Sequence, residues 1–201
     1  MNIKTLLPAA AIVLATAMPA AAQKISLNAI SNYLNGLKTA KGAFTQVNDD
    51  GTISTGTIFI KRPGRIRFEY NPPEKQLVLA SGGTVVIYDP KTNEPPESYP
   101  LARTPLSIIL AKNVNLSRAR MVVGHKSDGK STTVKAQDPE HPEYGNIELV
   151  FTANPVELRQ WVINDDAGSR TTVILGELDK KARMKNSLFN PDFAIPKGND
   201  R

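Results

Sequence analysis

The sequence contains no cysteine, so disulfides and thiol chemistry are both excluded and stability must come from packing. Histidine is almost as scarce: only His125 and His141 occur, and neither stands in a His-x-x-x-His or Glu-x-x-His spacing. A metal site needs several nitrogen, sulfur or carboxylate ligands converging, so neither a metal nor a cofactor is expected. No Gly-x-Ser-x-Gly elbow occurs, and no glycine-rich phosphate loop opens a helix. The carboxylate pairs Asp49-Asp50 and Asp165-Asp166 fall at turn positions, where a solvated role outweighs a catalytic one. The chain does not read as an enzyme.

Long apolar runs are missing too, apart from one. It follows Lys4, spans residues 6–15 and is succeeded by Ala20-Ala21-Ala22, an A-x-A cleavage pattern before Gln23. Residues 1–22 read as a secretory signal peptide, too short to span a bilayer. The mature chain would run 23–201 as a single soluble domain. Lys4 is the one charged residue in the leader, which leaves 24 basic against 19 acidic residues. That excess suits weak attraction to anionic headgroups or acidic partners and does not demand nucleic acid.

Periodicity supplies the fold class. Ile25, Leu27, Ile30, Leu34 and Leu37 recur near helical spacing, predicting one amphipathic helix that Gly36 weakens and Gly42 ends. The period then falls to two. Strands are predicted at 44–47, 54–61, 65–70, 76–80 and 84–88, with an Asp-Gly turn and a Gly-Gly turn among the connections. A Pro- and Glu-rich stretch follows (89–100). Thr104 as N-cap and Pro105 at N1 then predict a short helix, with Leu106, Ile109 and Leu110 on one face. Five more strands are expected near 118–124, 131–137, 145–151, 156–164 and 170–176. The class is mainly β, an antiparallel meander without α/β alternation.

Within Lys61–Tyr70 (KRPGRIRFEY) four cations meet two aromatics. Alternate residues of a strand share a face, so Ile66, Phe68 and Tyr70 point one way and Arg65, Arg67 and Glu69 the other. The basic residues read mostly as a solvated face rather than an anion reader, with Arg67 and Glu69 supporting each other. Arg62, before Pro63, sits in a turn at the mouth of the sheet. Further apolar positions come from Ile58 and Ile60, Leu77 and Leu79, and Val86 and Tyr88. An antiparallel meander must bury such residues on itself or on a ligand, and composition does not separate a filled core from a cavity.

The order of motifs resembles one family. Gly42-Ala-Phe44-Thr-Gln46, Gly56 through Lys61-Arg62-Pro63 to Tyr70, Ser81-Gly82-Gly83, Tyr88-Asp89-Pro90 and Thr104-Pro105-Leu106 together resemble the periplasmic lipoprotein carriers of the LolA family. The resemblance implies an unclosed β-barrel, a half-barrel with short lid helices over an apolar cavity. It implies a monomeric periplasmic chaperone that takes acylated lipoproteins from an inner-membrane ABC transporter to an outer-membrane receptor or the outer membrane itself. The ligand-facing set would then be Ile58, Ile60, Ile66, Phe68, Tyr70, Leu77, Leu79, Val86, Tyr88, Leu106, Ile109 and Leu110. Arg62 matches the family's arginine that ties barrel to lid through lid carbonyls. A carrier of another lipid, or a lipoprotein-sensing envelope protein of the same fold, is the alternative.

Overall fold

Eleven strands form one antiparallel sheet in the computed structural model, which describes residues 23–118 and 120–195. The signal peptide expected over residues 1–22 lies outside the described residues. Helix α1 (Leu27–Gly36) comes first, capped by Ser26, whose Oγ accepts from the Ala29 N–H. Strands β1 (Thr39–Val47), β2 (Ile53–Lys61), β3 (Arg65–Tyr70), β4 (Leu77–Ser81), β5 (Thr84–Tyr88) and β6 (Glu97–Pro100) follow as a meander. A 3-10 turn (Leu101–Arg103) and helix α2 (Leu106–Leu110) interrupt it. Strands β7 (Val122–Ser127), β8 (Thr132–Gln137), β9 (Asn146–Thr152), β10 (Glu157–Asn164) and β11 (Arg170–Leu175) complete the sheet. A second 3-10 turn (Asn186–Phe189) and helix α3 (Pro191–Ala194) lie in the C-terminal segment.

The strand order is β6-β5-β4-β3-β2-β1-β11-β10-β9-β8-β7. First and last strands meet in the middle, so the two meanders open to either side and end at β6 and β7. Those edges do not pair with each other, and the barrel stays unclosed. Alternation decides which residues look inward. Ile60 pairs with Ile66, which pairs with Ala80; Gly42 pairs with Ile58, which pairs with Phe68. These residues, apart from Gly42, join Trp161, Leu149, Val134 and α1's Ile30 and Leu34 in one buried cluster.

Four local expectations change. Gly42 lies inside β1 instead of ending the helix, because α1 stops at Gly36 and the period-two pattern starts at Thr39. A Cβ there would sit 2.6 Å from the Glu177 carbonyl oxygen, where the chain after β11 crosses close by. The Pro- and Glu-rich stretch contributes strand β6; all four of its residues are exposed, and an edge strand tolerates proline. β7 begins at Val122 because the Arg118 N–H turns back to Asn115. Thr104 does not cap α2; its hydroxyl donates to the Leu101 carbonyl, and Pro105 holds the N-cap position.

Gly56 shows how tightly the inner layer is filled. It pairs with Phe44 and Tyr70, and a Cβ would meet the Phe44 ring at 2.6 Å and press on the Glu69 backbone carbonyl. Backbone cannot yield as a flexible side chain does. Gly56→Ala should therefore destabilise the protein by about 1–3 kcal/mol, read as a lower urea midpoint at unchanged slope. No loss of stability would mean that β2 and β3 stand further apart than described.

Candidate functional site

The concave face of the sheet is apolar and covered. Ile58 and Ile60 on β2, and Ile66 and Phe68 on β3, are buried beneath α1 and the segment that carries α2. Phe68 makes edge-to-face contacts with Phe44, at 5.2 Å between centroids, and with Trp161, at 6.2 Å. Tyr70 closes this row: its hydroxyl donates to Gln46 Oε1 at 2.7 Å, and burial pushes the phenol pKa up to about 12. The phenol therefore stays neutral at physiological pH, an apolar wall with one satisfied polar tip.

The cover is the segment from 101 to 118. Leu106, Ile108, Ile109 and Leu110 of α2 all turn into the interior, leaving Ser107 as the half-exposed residue. Fully burying an aliphatic side chain is worth about 1.5–3 kcal/mol, so α2 gains on the order of 6–12 kcal/mol by occupying the concave face. Ile58 and Ile66 are 0% exposed as a result. Nothing of acyl-chain size reaches them unless α2 moves.

Few polar groups hold this cover. The Arg62 guanidinium donates from Nη2 to the Ala111 carbonyl at 2.5 Å, just beyond the C-terminal end of α2. Arg62 is 8% exposed, and burial lowers its pKa. The neighbouring Gly64 N–H donates to the Leu110 carbonyl at 2.9 Å. On the other side α1 grips the same segment. Asn35 Nδ2 donates to the Val114 carbonyl, and Asn35 Oδ1 accepts from the Val114 N–H. Ser31 Oγ accepts from the Leu116 N–H while donating to Leu27 within its own helix. The sequence reading passed over Ser31 and Asn35. They stand four apart, each next to a core residue, Ile30 and Leu34, so helical spacing puts them on one stripe, but only the packed lid shows what they bind.

The structure separates the expected ligand-facing residues into two sets. Ile58, Ile60, Ile66, Phe68, Tyr70, Leu106, Ile109 and Leu110 come together on the concave side. Leu77, Leu79, Val86 and Tyr88 do not. Leu77 pairs with Glu69 and Tyr88, and Leu79 with Arg67 and Val86, so all four project from the convex face. The inward residues of those strands are Val78, Ala80, Val85 and Ile87. Both faces of β4 are apolar, and alternation alone could not tell which one was inner. Leu77 and Leu79 are buried nonetheless, on the face where the C-terminal 3-10 turn packs against β3 and β4 with Phe189 buried.

The basic stretch changes meaning for the same reason. Lys61 Nζ donates to the Met184 carbonyl and Asn186 Oδ1, Arg65 to Asn186 Oδ1, and Arg67 Nη1 to the Leu188 carbonyl. These side chains fasten the C-terminal segment across the convex face; they are not merely solvated. Arg67 also pairs with Glu69 at 2.7 Å, as alternation predicts.

Comparison with known proteins agrees with this architecture. The family model described as outer membrane lipoprotein carrier protein LolA matches residues 35–192. The chain is 29% identical to an outer-membrane lipoprotein carrier protein of Cupriavidus taiwanensis, covering 100% of this chain and 98% of that one. It is 26% identical to the protein of the same name from Azotobacter vinelandii, with 90% of each covered. Among solved structures, a domain from Vibrio parahaemolyticus described as outer membrane lipoprotein-sorting superposes with a TM-score of 0.50. Its identity is 9%, over 86% of this chain and 98% of that one, which speaks to fold alone. With its open half-barrel, apolar concave face and matching sequence model, the chain belongs to the LolA family of outer membrane lipoprotein carrier proteins.

Proposed function

We propose that the protein is a periplasmic chaperone that shelters the acyl chains of lipoproteins on their way to the outer membrane. The observation that carries this reading is an apolar concave sheet covered by one short helix, which a handful of polar contacts hold in place. An acyl chain gains about 0.8 kcal/mol per buried methylene, on the order of 10 kcal/mol for one long chain. That is the same size as the gain from burying α2. Cargo and lid compete for one surface with similar free energies, so net affinity is a small difference and cargo can be both held and surrendered. An inner-membrane ABC transporter as donor and an outer-membrane receptor as acceptor complete the reading. Ile58, Ile60, Ile66, Phe68 and Tyr70 would line the loaded cavity, with Arg62 as the latch of the empty form.

The test uses an apolar fluorescent probe that brightens on burial. The probe should bind the folded protein and be displaced by an acylated peptide but not by the same peptide without its chain. Asn35→Ala removes both side-chain bonds to Val114, worth about 0.5–1.5 kcal/mol each, and so weakens the closed form. Probe affinity should then rise about fivefold to a hundredfold. Failure of every acylated ligand to compete, with the protein folded, would sink the carrier reading. Unchanged affinity in Asn35→Ala would mean that the 101–118 segment does not move on loading.

A further inference from the structure

The convex face carries a cleft that the carrier function leaves unused. It measures about 520 Å³ and lies between β1–β3 and the C-terminal segment. Its apolar lining includes Phe59, Met184 and Leu188; Lys41, Arg183 and Lys185 stand around it, all exposed. Phe193 of α3 borders the same cleft and is 77% exposed, more than any other large apolar residue described.

The charges here are unbalanced. Arg67 also lines the cleft, but Glu69 and the Leu188 carbonyl occupy its guanidinium. Among the described residues, Lys41, Arg183 and Lys185 have no carboxylate within salt-bridge distance, and Lys41 Nζ instead lies 5.4 Å from the centre of the Phe59 ring. Among the described residues no carboxylate lines the cleft; Lys41, at its edge, also borders a neighbouring hollow with Glu157, Glu177 and Asp179, so the uncompensated charge rests chiefly on Arg183 and Lys185. Cations held near apolar surface without counter-charge attract anions, and an exposed aromatic beside them adds an apolar foothold.

We propose that this face docks on a bilayer rich in anionic phospholipid, with one headgroup phosphate at Lys41, Arg183 and Lys185 and Phe193 entering the interfacial region. Topology favours lipid over an acidic peptide. β1, β2 and β3 are interior strands with both neighbours in place, so no peptide strand can be added here. The carbonyls of Met184 and Leu188 are already taken by Lys61 and Arg67. A membrane surface asks only for point charges and a wedge, and both are present. Docking here leaves the concave face and its lid on the opposite side of the sheet, so attachment and cargo handling need not compete.

Flotation of the purified protein, after export, with vesicles tests this directly. Vesicles containing phosphatidylglycerol should carry it at low salt, and pure phosphatidylcholine vesicles should not. Reversing two exposed cleft charges, Arg183→Glu with Lys185→Glu, should weaken binding at least about thirtyfold, since each basic residue near an anionic surface is worth about a factor of five. Phe193→Ser should weaken it further. Lys130→Glu with Arg170→Glu changes net charge equally at exposed positions elsewhere, the β7–β8 turn and the start of β11, and should have a far smaller effect. Equal losses in the two double variants would reduce the attraction to net charge and overturn the proposal. So would displacement from vesicles by an acylated peptide, which would show that the interior, not the cleft, holds the lipid. Loss of polyglutamate binding in the cleft variant, with vesicle binding unchanged, would identify an acidic protein partner and overturn it equally. The result stands apart from the carrier reading, because the vesicle arm needs no cargo and the probe assay needs no membrane.

Discussion

Ile66→Glu is expected to abolish cargo loading while Ile66→Ala preserves it. Ile66 is wholly buried between Ile60 and Ala80 on neighbouring strands, under the lid helix. A carboxylate there has no cation within its register, and an unpaired buried charge is costly to desolvate. The group will respond by holding its proton to higher pH than an exposed glutamate, whose pKa is about 4.3. The sign follows: the folded form binds the proton more tightly than the unfolded one, so the stability defect is greatest at neutral pH and shrinks on acidification. Ile66→Ala serves as the control because it also destabilises, by about 2–5 kcal/mol, yet keeps the interior apolar. Circular dichroism melts and transfer of a lipoprotein from spheroplasts would read both. Equal loss of transfer in the two variants, at equal stability, would show that the polarity of this face does not govern loading. Normal transfer by Ile66→Glu would put Ile66 outside the cavity.

Arg62→Leu is expected to act in the other direction. The guanidinium donates to the Ala111 carbonyl with α2 in the interior. On the proposed lid movement that bond would be absent from the loaded form, so its loss would remove free energy from the empty form and little from the loaded one. A charged hydrogen bond is worth about 1.5–3 kcal/mol, and partial burial of the guanidinium offsets part of that, so the lower figure is the better guide. Cargo affinity should rise about tenfold. The variant should accept lipoprotein at least as well as the parent and release it poorly, so that loaded carrier accumulates. Gly64 still holds Leu110 through the backbone, which keeps the lid folded in the variant. Weaker binding instead would mean that closing desolvates Arg62 at a net loss. Unimpaired release would remove the latch from this account.

Much of the site was legible in sequence because strands of this half-barrel are two-faced. Ile66, Phe68 and Tyr70 alternate with Arg65, Arg67 and Glu69, and the structure keeps that division. β4 failed the same test because Leu77, Val78, Leu79 and Ala80 are apolar on both sides. A strand greasy on both faces states that it is covered twice, not which cover is which. Arg62 was singled out by its turn position and by family resemblance. Ser31 and Asn35 were missed because a polar residue on an amphipathic helix is ordinarily solvent-facing, and only the packed lid gives these two a buried partner.

The sequence by itself determined the class of structure: period two across the chain, turn residues between strands and one amphipathic helix at the start. These are local properties, set by neighbours a few residues away. Tertiary structure decided what those properties are for. That β1 meets β11, that the Leu106–Leu110 helix enters the concave face, and that Lys61, Arg65 and Arg67 reach carbonyls more than a hundred residues further on are all long-range outcomes. No periodicity encodes them, because each arises from two surfaces burying one another, and either surface read alone is only apolar or only charged.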